Sequence, residues 1–186
     1  IRKMHLGKCL ENNDWTTLRD DLNKRPIEGI TGHNPSEEII KILSKYGINK
    51  NQETSVTVEI WGSGKPLREF LWSEEMADAC VFIMENINFS DLINKSQFNN
   101  KNNIRNTHIN IGTGKDFTIE YYAKLIAKTI LPQKKIKIKY DLTKPNGIKR
   151  KVMDISLAKK FGWKNKIDLK KSILDTYTSY KKEISE

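Results

Sequence analysis

Between Trp61 and Ala77 the chain reads WGSGKPLREFLWSEEMA, with two glycines, a proline and an arginine at a spacing suited to holding an oxyanion. Gly62 and Gly64 let the backbone approach a ligand where any side chain would stand in the way. Pro66 stiffens the exit from the turn. Arg68 follows on a segment that Phe70, Leu71 and Trp72 can anchor, so its guanidinium fork is placed for a bidentate contact with phosphate. An ordinary turn followed by a surface arginine gives the same short pattern. A second string, KPNGIKRKVMD from Lys144 to Asp154, sets Pro145 and Gly147 in a turn with Lys144, Lys149, Arg150 and Lys151 around it. These can surround an anion, or Arg150 and Lys151 can form an exposed strand face. Gly112-Thr113-Gly114, ahead of a helix, either holds phosphate at the helix terminus or makes a structural turn.

Other chemistries find little support. His108 has no partner at ligand spacing, so it defines neither a metal site nor a base. Cys9 and Cys80 lie far apart, and Cys80 reads as a small hydrophobe on a helix, which fits a reducing cytoplasm. No apolar run reaches the length of a membrane span and the opening residues do not read as a signal peptide, so no membrane partner is expected. Lysine and arginine outnumber aspartate and glutamate by 33 to 23 in 186 residues. Eight of these basic residues fall between Pro132 and Lys151 against the single acid Asp141. Such a run serves nucleic acid, an anionic surface or a small polyanion, or is simply a solvated strand face. Only one aromatic, Tyr140, falls among its lysines, where a single-strand binder would need several.

These residues need elements to position them. A helix spans Ile1 to Leu10 and a strand Val56 to Ile60. A helix from about Ser73 to Ile87 puts Met76, Cys80, Ile83, Met84 and Ile87 on one face, read as core. His108 to Gly112 reads as a short strand, and the helix capped by Thr118 carries the stripe Ile119, Tyr122, Ala123, Ile126, Ala127 and Ile130. Lys135, Lys137 and Lys139 alternate with Ile136, Ile138 and Tyr140 as on an edge strand. Within Glu11 to Thr54, Asn34-Pro35-Ser36-Glu37 supplies an N-cap for a helix near Pro35 to Tyr46, with Ile39, Ile40 and Leu43 inward and Gly47 at its end. Eight asparagines between Asn86 and Thr107 mark a long, mobile loop. Phe161-Gly162-Trp163 reads as a packing corner. The last helix, Leu169 to Glu183, carries Leu169, Ile173, Tyr177 and Tyr180 at helical spacing.

Four strings in order, IRKMH at Ile1, the Trp61 stretch, HINIGTG at His108 and KPNGIKRKVMD at Lys144, together with FGW at Phe161, resemble the extended short-chain dehydrogenase/reductase superfamily. Within it they resemble the GDP-L-fucose synthase family. The resemblance implies an α/β fold: the C-terminal substrate-binding portion of an NAD(P)-dependent epimerase/reductase over residues 1–186. One strand and the helices at Ser73 and Thr118 would pack on the sheet of an N-terminal Rossmann half that this chain lacks. Residues 11–54 would be a subfamily insertion, acting as a lid or an oligomer contact.

The whole enzyme would convert GDP-4-keto-6-deoxy-D-mannose to GDP-L-fucose with NADPH. Its base, acid and NADP(H) site would lie mainly outside these residues, leaving this chain alone inactive. It would be a cytoplasmic homodimer with no metal and no nucleic-acid partner. The resemblance places Lys3 and Arg68 at the substrate diphosphate, Trp61 against the nucleotide and Asn146 in a polar contact where the family commonly has aspartate. Lys3 is otherwise an ordinary helix-surface lysine. The resemblance makes the glycines at 112 and 114 a structural turn and assigns no catalysis to Tyr177 and Lys181, although they match a Tyr-x-x-x-Lys pair. Another nucleotide-sugar epimerase or reductase, or a basic nucleic-acid-binding module, are the alternatives.

Overall fold

The computed structural model describes residues 1–50, 55–93, 106–133 and 136–185, which divide into two compact units. The first unit comprises Ile1–Pro66, Thr118–Lys149 and the C-terminal stretch from Leu169. Its helices are α1 (Arg2–Glu11), α2 (Trp15–Lys24), α3 (Ser36–Lys45), α6 (Ile119–Ile130) and α8 (Leu169–Ser185). They surround a three-stranded sheet of β1 (Ile48–Asn49), β2 (Thr57–Trp61) and β5 (Lys137–Asp141), in the order β1-β2-β5. β1 runs antiparallel to β2, with Ile48 opposite Val58. β5 runs parallel to β2, with Val58 opposite Ile138 and Trp61 opposite Asp141. The expected alternation is present on β5, where Lys137 and Lys139 are exposed while Ile138 and Tyr140 are half-buried; Lys135 lies outside the described residues.

α1 carries the structural burden of this unit. Met4, Leu6, Cys9 and Leu10 are buried, and Gly7 lets the helix rest on β2: a Cβ there would stand 3.0 Å from Val58 Cγ2. α2 was not foreseen from the sequence. Asp14 caps it by accepting from the Thr17 N–H at 3.1 Å, and Leu18 and Leu22 are fully buried. α3 has the expected extent and ends at Gly47 (φ +73°), but two details differ. The Asn34 side-chain Oδ1 accepts from Thr31 N (2.9 Å), so Asn34 does not cap the helix. The buried stripe is Ile39, Ile42 and Leu43, leaving Ile40 45% exposed. With four fully buried leucine and isoleucine side chains, residues 15–45 are part of the core. α6 carries the expected stripe: Tyr122, Ala123, Ala127 and Ile130 are buried, and the last three belong to this unit's core with Tyr177, Tyr180 and Ile184.

The second unit comprises Leu67–Phe117 and Arg150–Asp168. It contains β3 (Leu67–Arg68), α4 (Ser73–Asn86), α5 (Phe89–Leu92), β6 (Arg150–Lys151) and α7 (Ser156–Lys160), with β4 (Phe117–Thr118) at its boundary. The sheet order is β4-β3-β6, and β3 and β6 are parallel. Ala79 on α4 and Ala158 on α7 are small enough to let the helices approach, and Trp163 fills the space beside them at 3% exposure. The Trp163 indole donates to Asp78 at 3.0 Å, so Phe161-Gly162-Trp163 is the packing corner its sequence suggested.

The stripe read on α4 is not core. Met76 is 41% and Met84 82% exposed, Cys80 is exposed, and the buried residues are Glu75 and Ala79. Glu75 accepts from Ile167 N at 2.9 Å, which explains how a carboxylate comes to be the buried group. Residues 108–112 form no strand. The loop expected at 86–107 instead contains α5, closed by a capping box between Asn88 and Asp91, while residues 94–105 lie outside the described residues. No helix among the described residues is long and apolar enough to cross a membrane.

The Gly112-Thr113-Gly114 turn shows what its donors are for. Glu69 Oε1 accepts from Gly114 N at 2.5 Å and from the Thr113 hydroxyl at 3.1 Å, and Glu69 Oε2 accepts from Met153 N at 2.8 Å. A Cβ on Gly112 would meet Glu69 Oε1 at 2.5 Å. The turn is built around an internal carboxylate. Glu69→Gln, which keeps the shape but turns half of the acceptor into a donor facing N–H groups, is expected to destabilise the second unit by about 1–2 kcal/mol. Thermal denaturation followed by Trp163 fluorescence measures it, and an unchanged melting curve would show that the turn holds itself.

Candidate functional site

In the first unit, the start of α1, the turn at Pro26–Glu28, the end of α3 and the end of β2 line an open cavity of about 810 Å³. Arg2, Lys3 and Leu6 line one side, Pro26, Ile27, Glu28, Lys45, Tyr46 and Ile48 another, and Trp61 closes it. The volume and the mixture of apolar wall with a few charged groups are those of a nucleotide-sized ligand site. Trp61 ends β2, and its ring is 69% exposed because the turn at Gly62 and Gly64 begins directly after it. The Lys144 ammonium lies 5.7 Å from the centre of that ring.

Lys3 and Trp61, two of the residues singled out in the sequence, share this lining. Lys3 Nζ donates to the carbonyl of Glu59 on β2, which fixes the side chain across the sheet edge. Burial pushes its pKa down, and the neighbouring Glu59 carboxylate opposes that shift. One proton of three is committed to the carbonyl, so the ammonium keeps donors for an anion.

Asn146 is tied to the turn after Trp61. Its Oδ1 accepts from Ser63 N at 2.7 Å and from the Ser63 hydroxyl at 2.9 Å. Gly62, at φ +71°, allows this approach, since a Cβ there would stand 2.6 Å from Asn146 Oδ1. A carboxylate at position 146 would accept the same two bonds. The amide differs in adding an NH2 group that can donate. Lys3, Trp61 and Asn146 therefore belong to the first unit.

Arg68 belongs to the second unit, half-buried on β3, where its Nη1 donates to the Leu67 carbonyl at 2.7 Å. In the same unit Arg150 is committed to Asp116 through two bonds, Nε to Oδ2 at 2.6 Å and Nη2 to Oδ1 at 3.1 Å. That pairing holds the Asp116 carboxyl below its usual range. With its N–H and hydroxyl given to Glu69, the 112–114 turn does not fit the phosphates of a dinucleotide.

Two buried groups of the first unit had no sequence signature. Asp21, fully buried, pairs with Arg2 at 2.7 Å and accepts from the Tyr180 hydroxyl, while Arg2 Nη2 also donates to the Arg25 carbonyl. Asp21 thus fixes Arg2, a cavity residue, from below. His5, also buried, has Nδ1 3.0 Å from the Tyr177 hydroxyl, and burial pushes its pKa down to about 4. Tyr177 is 4% exposed and its hydroxyl is pushed up to about 12 by burial, so with Lys181 over its ring it is a packing residue, not a proton donor. Among the described residues no group of histidine, cysteine and acidic side chains stands ready to hold a metal ion.

Comparison with known proteins gives consistent relatives. Residues 28–112 match the NAD dependent epimerase/dehydratase family. The chain is 32% identical over 148 residues to the probable GDP-L-fucose synthase 1 of Oryza sativa subsp. japonica, covering 80% of this chain and 40% of that protein. It is 41% identical over 138 residues to the GDP-L-colitose synthase of Yersinia pseudotuberculosis, covering 74% of this chain and 38% of that one. Among solved structures it resembles a GDP-D-glycero-L-gluco-heptose synthase of Campylobacter jejuni, crystallised in the presence of NADPH. That match has a TM-score of 0.75 at 36% identity and covers 97% of this chain and 45% of the other. The chain thus spans about 40% of the length of the curated relatives it matches.

Proposed function

The chain belongs to the NAD dependent epimerase/dehydratase family, of the extended short-chain dehydrogenase/reductase type, and from that premise we propose that it is the substrate-binding portion of a GDP-L-fucose synthase. The reaction would be the conversion of GDP-4-keto-6-deoxy-D-mannose to GDP-L-fucose. The observation that carries the proposal is the cavity of the first unit, which gathers Lys3 and Trp61 from α1 and β2 into one lining. Lys3 meets the diphosphate, Trp61 packs against the nucleotide, and Asn146 holds the turn beside it and offers its amide to the ligand. Arg68, which belongs to the second unit, is not part of this lining. Lys3, Trp61 and Asn146 bind and orient the sugar nucleotide, and the energy of that grip positions the sugar for groups that reside elsewhere.

In the whole enzyme, NADPH supplies the hydride that reduces C4 and is held mainly by residues outside this chain. The N-terminal Rossmann half is the first partner, a second copy in a homodimer the next, and the cytoplasm the compartment. A GDP-sugar epimerase or reductase acting on another sugar is the second reading, favoured by the likeness to the colitose and heptose synthases. Nucleic acid has no place in this reading, and within the basic run Arg150 is already paired with Asp116.

Calorimetric titration of the chain with GDP and with UDP tests the proposal. GDP is expected to bind at least about tenfold more tightly than UDP, a difference of about 1.4 kcal/mol. Equal affinity would move the assignment to another nucleotide-sugar class. Absence of GDP binding, with salt-dependent binding to RNA or DNA, would overturn it.

A further inference from the structure

One ion pair in the cavity of the first unit is used by none of the residues directed at the diphosphate. Glu28 sits in a two-residue turn closed by reciprocal bonds between Ile27 and Ile30 at 3.0 and 2.9 Å, with φ +48° at Glu28 and +81° at Gly29. Turns with two positive φ values favour asparagine, aspartate or glycine at the first of these positions, so a glutamate there is held against its own backbone preference. Its carboxylate is fixed in place. Lys45 Nζ donates to Oε1 at 2.8 Å and to Oε2 at 2.6 Å, and the Tyr46 hydroxyl donates to Oε1 at 2.8 Å. All three side chains line the cavity.

The hydrogen-bond capacity of this group is not exhausted. A carboxylate accepts about four bonds and an ammonium donates three. Three of the former and two of the latter are used, which leaves one acceptor position on Glu28 Oε2 beside one N–H on Lys45. An acceptor next to a donor is the complement of a lactam edge, in which a carbonyl oxygen adjoins an N–H. A 6-oxopurine presents that order, with O6 beside N1–H. A 6-aminopurine presents the reverse, with an amino group beside a bare N1, and would set donor against donor and acceptor against acceptor.

We propose that Glu28 and Lys45 are the base-reading pair of this cavity and select a 6-oxopurine nucleoside diphosphate over its 6-amino counterpart. The inference rests on the cavity being the nucleotide site. Lys45 donates to O6, Glu28 Oε2 accepts from N1–H, and Tyr46 holds the carboxylate for that contact.

IDP and ADP differ only at this edge, so their titration into the full chain isolates it. IDP is expected to bind at least about tenfold more tightly than ADP, the size of a mismatched polar contact. Glu28→Asn suits the positive φ and removes the carboxylate, so it is expected to keep the melting temperature while bringing the two affinities to within about threefold. Glu28→Gln should narrow the ratio in the same way. An IDP to ADP ratio near one in the parent chain, or one left unchanged by both variants, overturns the pair's role even where GDP binds. Failure of GDP itself to bind overturns instead the assignment of the cavity to a nucleotide.

Discussion

Asp21→Ala is expected to destabilise the first unit by about 3–5 kcal/mol, the cost of stranding one partner of a buried ion pair. Asp21 is fully buried at the meeting of α1, α2 and α8. Removing its carboxylate leaves the Arg2 guanidinium without its 2.7 Å partner and the Tyr180 hydroxyl without its acceptor. The Tyr180 hydroxyl cannot turn easily to water, because Tyr180 is 8% exposed, and Arg2 keeps only its bond to the Arg25 carbonyl and its partial exposure to the cavity. Burial pushes the Asp21 pKa up, and the bond from Arg2 works against that shift, so the carboxylate depends on this partner. Asp21→Asn keeps an acceptor for Tyr180 and is expected to lose less. Urea denaturation of the three proteins measures the series. A loss below about 1 kcal/mol for the alanine variant would mean that water reaches the gap and that the network does not hold the helices together. Since Arg2 lines the cavity, the same change should also loosen the wall next to Lys3.

What the sequence revealed of this molecule follows a physical division. Features written locally were legible: the strand ending at Trp61, α4 and α6 within a residue of their ends, the alternation along β5 and the corner at Trp163. Each depends on periodicity or on a few adjacent residues. A stripe at helical spacing, however, gives a face and not its partner. Met76 and Met84 share the face that periodicity assigns to the core, yet the interior contact of α4 runs through Ala79 and Glu75. The strand expected at His108 failed for a related reason: an apolar alternation needs a neighbouring strand, and residues 108–112 have none among those described.

Long-range polar contacts were beyond reach from sequence. Asp21 and Tyr180 are 159 positions apart and Glu69 and Met153 are 84 apart, and neither pair has a spacing that marks it. Glu69 lies beside Arg68 inside the most informative string, yet nothing local distinguishes a carboxylate that will close a distant glycine turn. The candidate site was legible in part. Lys3 and Trp61 meet on one cavity, but the wall opposite them comes from residues 26–48, which carried no chemical pattern in the sequence.

The most direct measurement is the affinity of GDP for the chain with Lys3→Ala beside Lys3→Arg. Lys3 is anchored to the Glu59 carbonyl with its remaining donors free for an anion, and a charged hydrogen bond of that kind is worth about 1.5–3 kcal/mol. The alanine variant should therefore bind GDP about 10- to 100-fold more weakly, while arginine, which preserves charge and reach, stays within about threefold of the parent. GDP affinity unchanged by the loss of the Lys3 ammonium would contradict the cavity at Lys3 and Trp61 as the place where a sugar nucleotide's diphosphate is held.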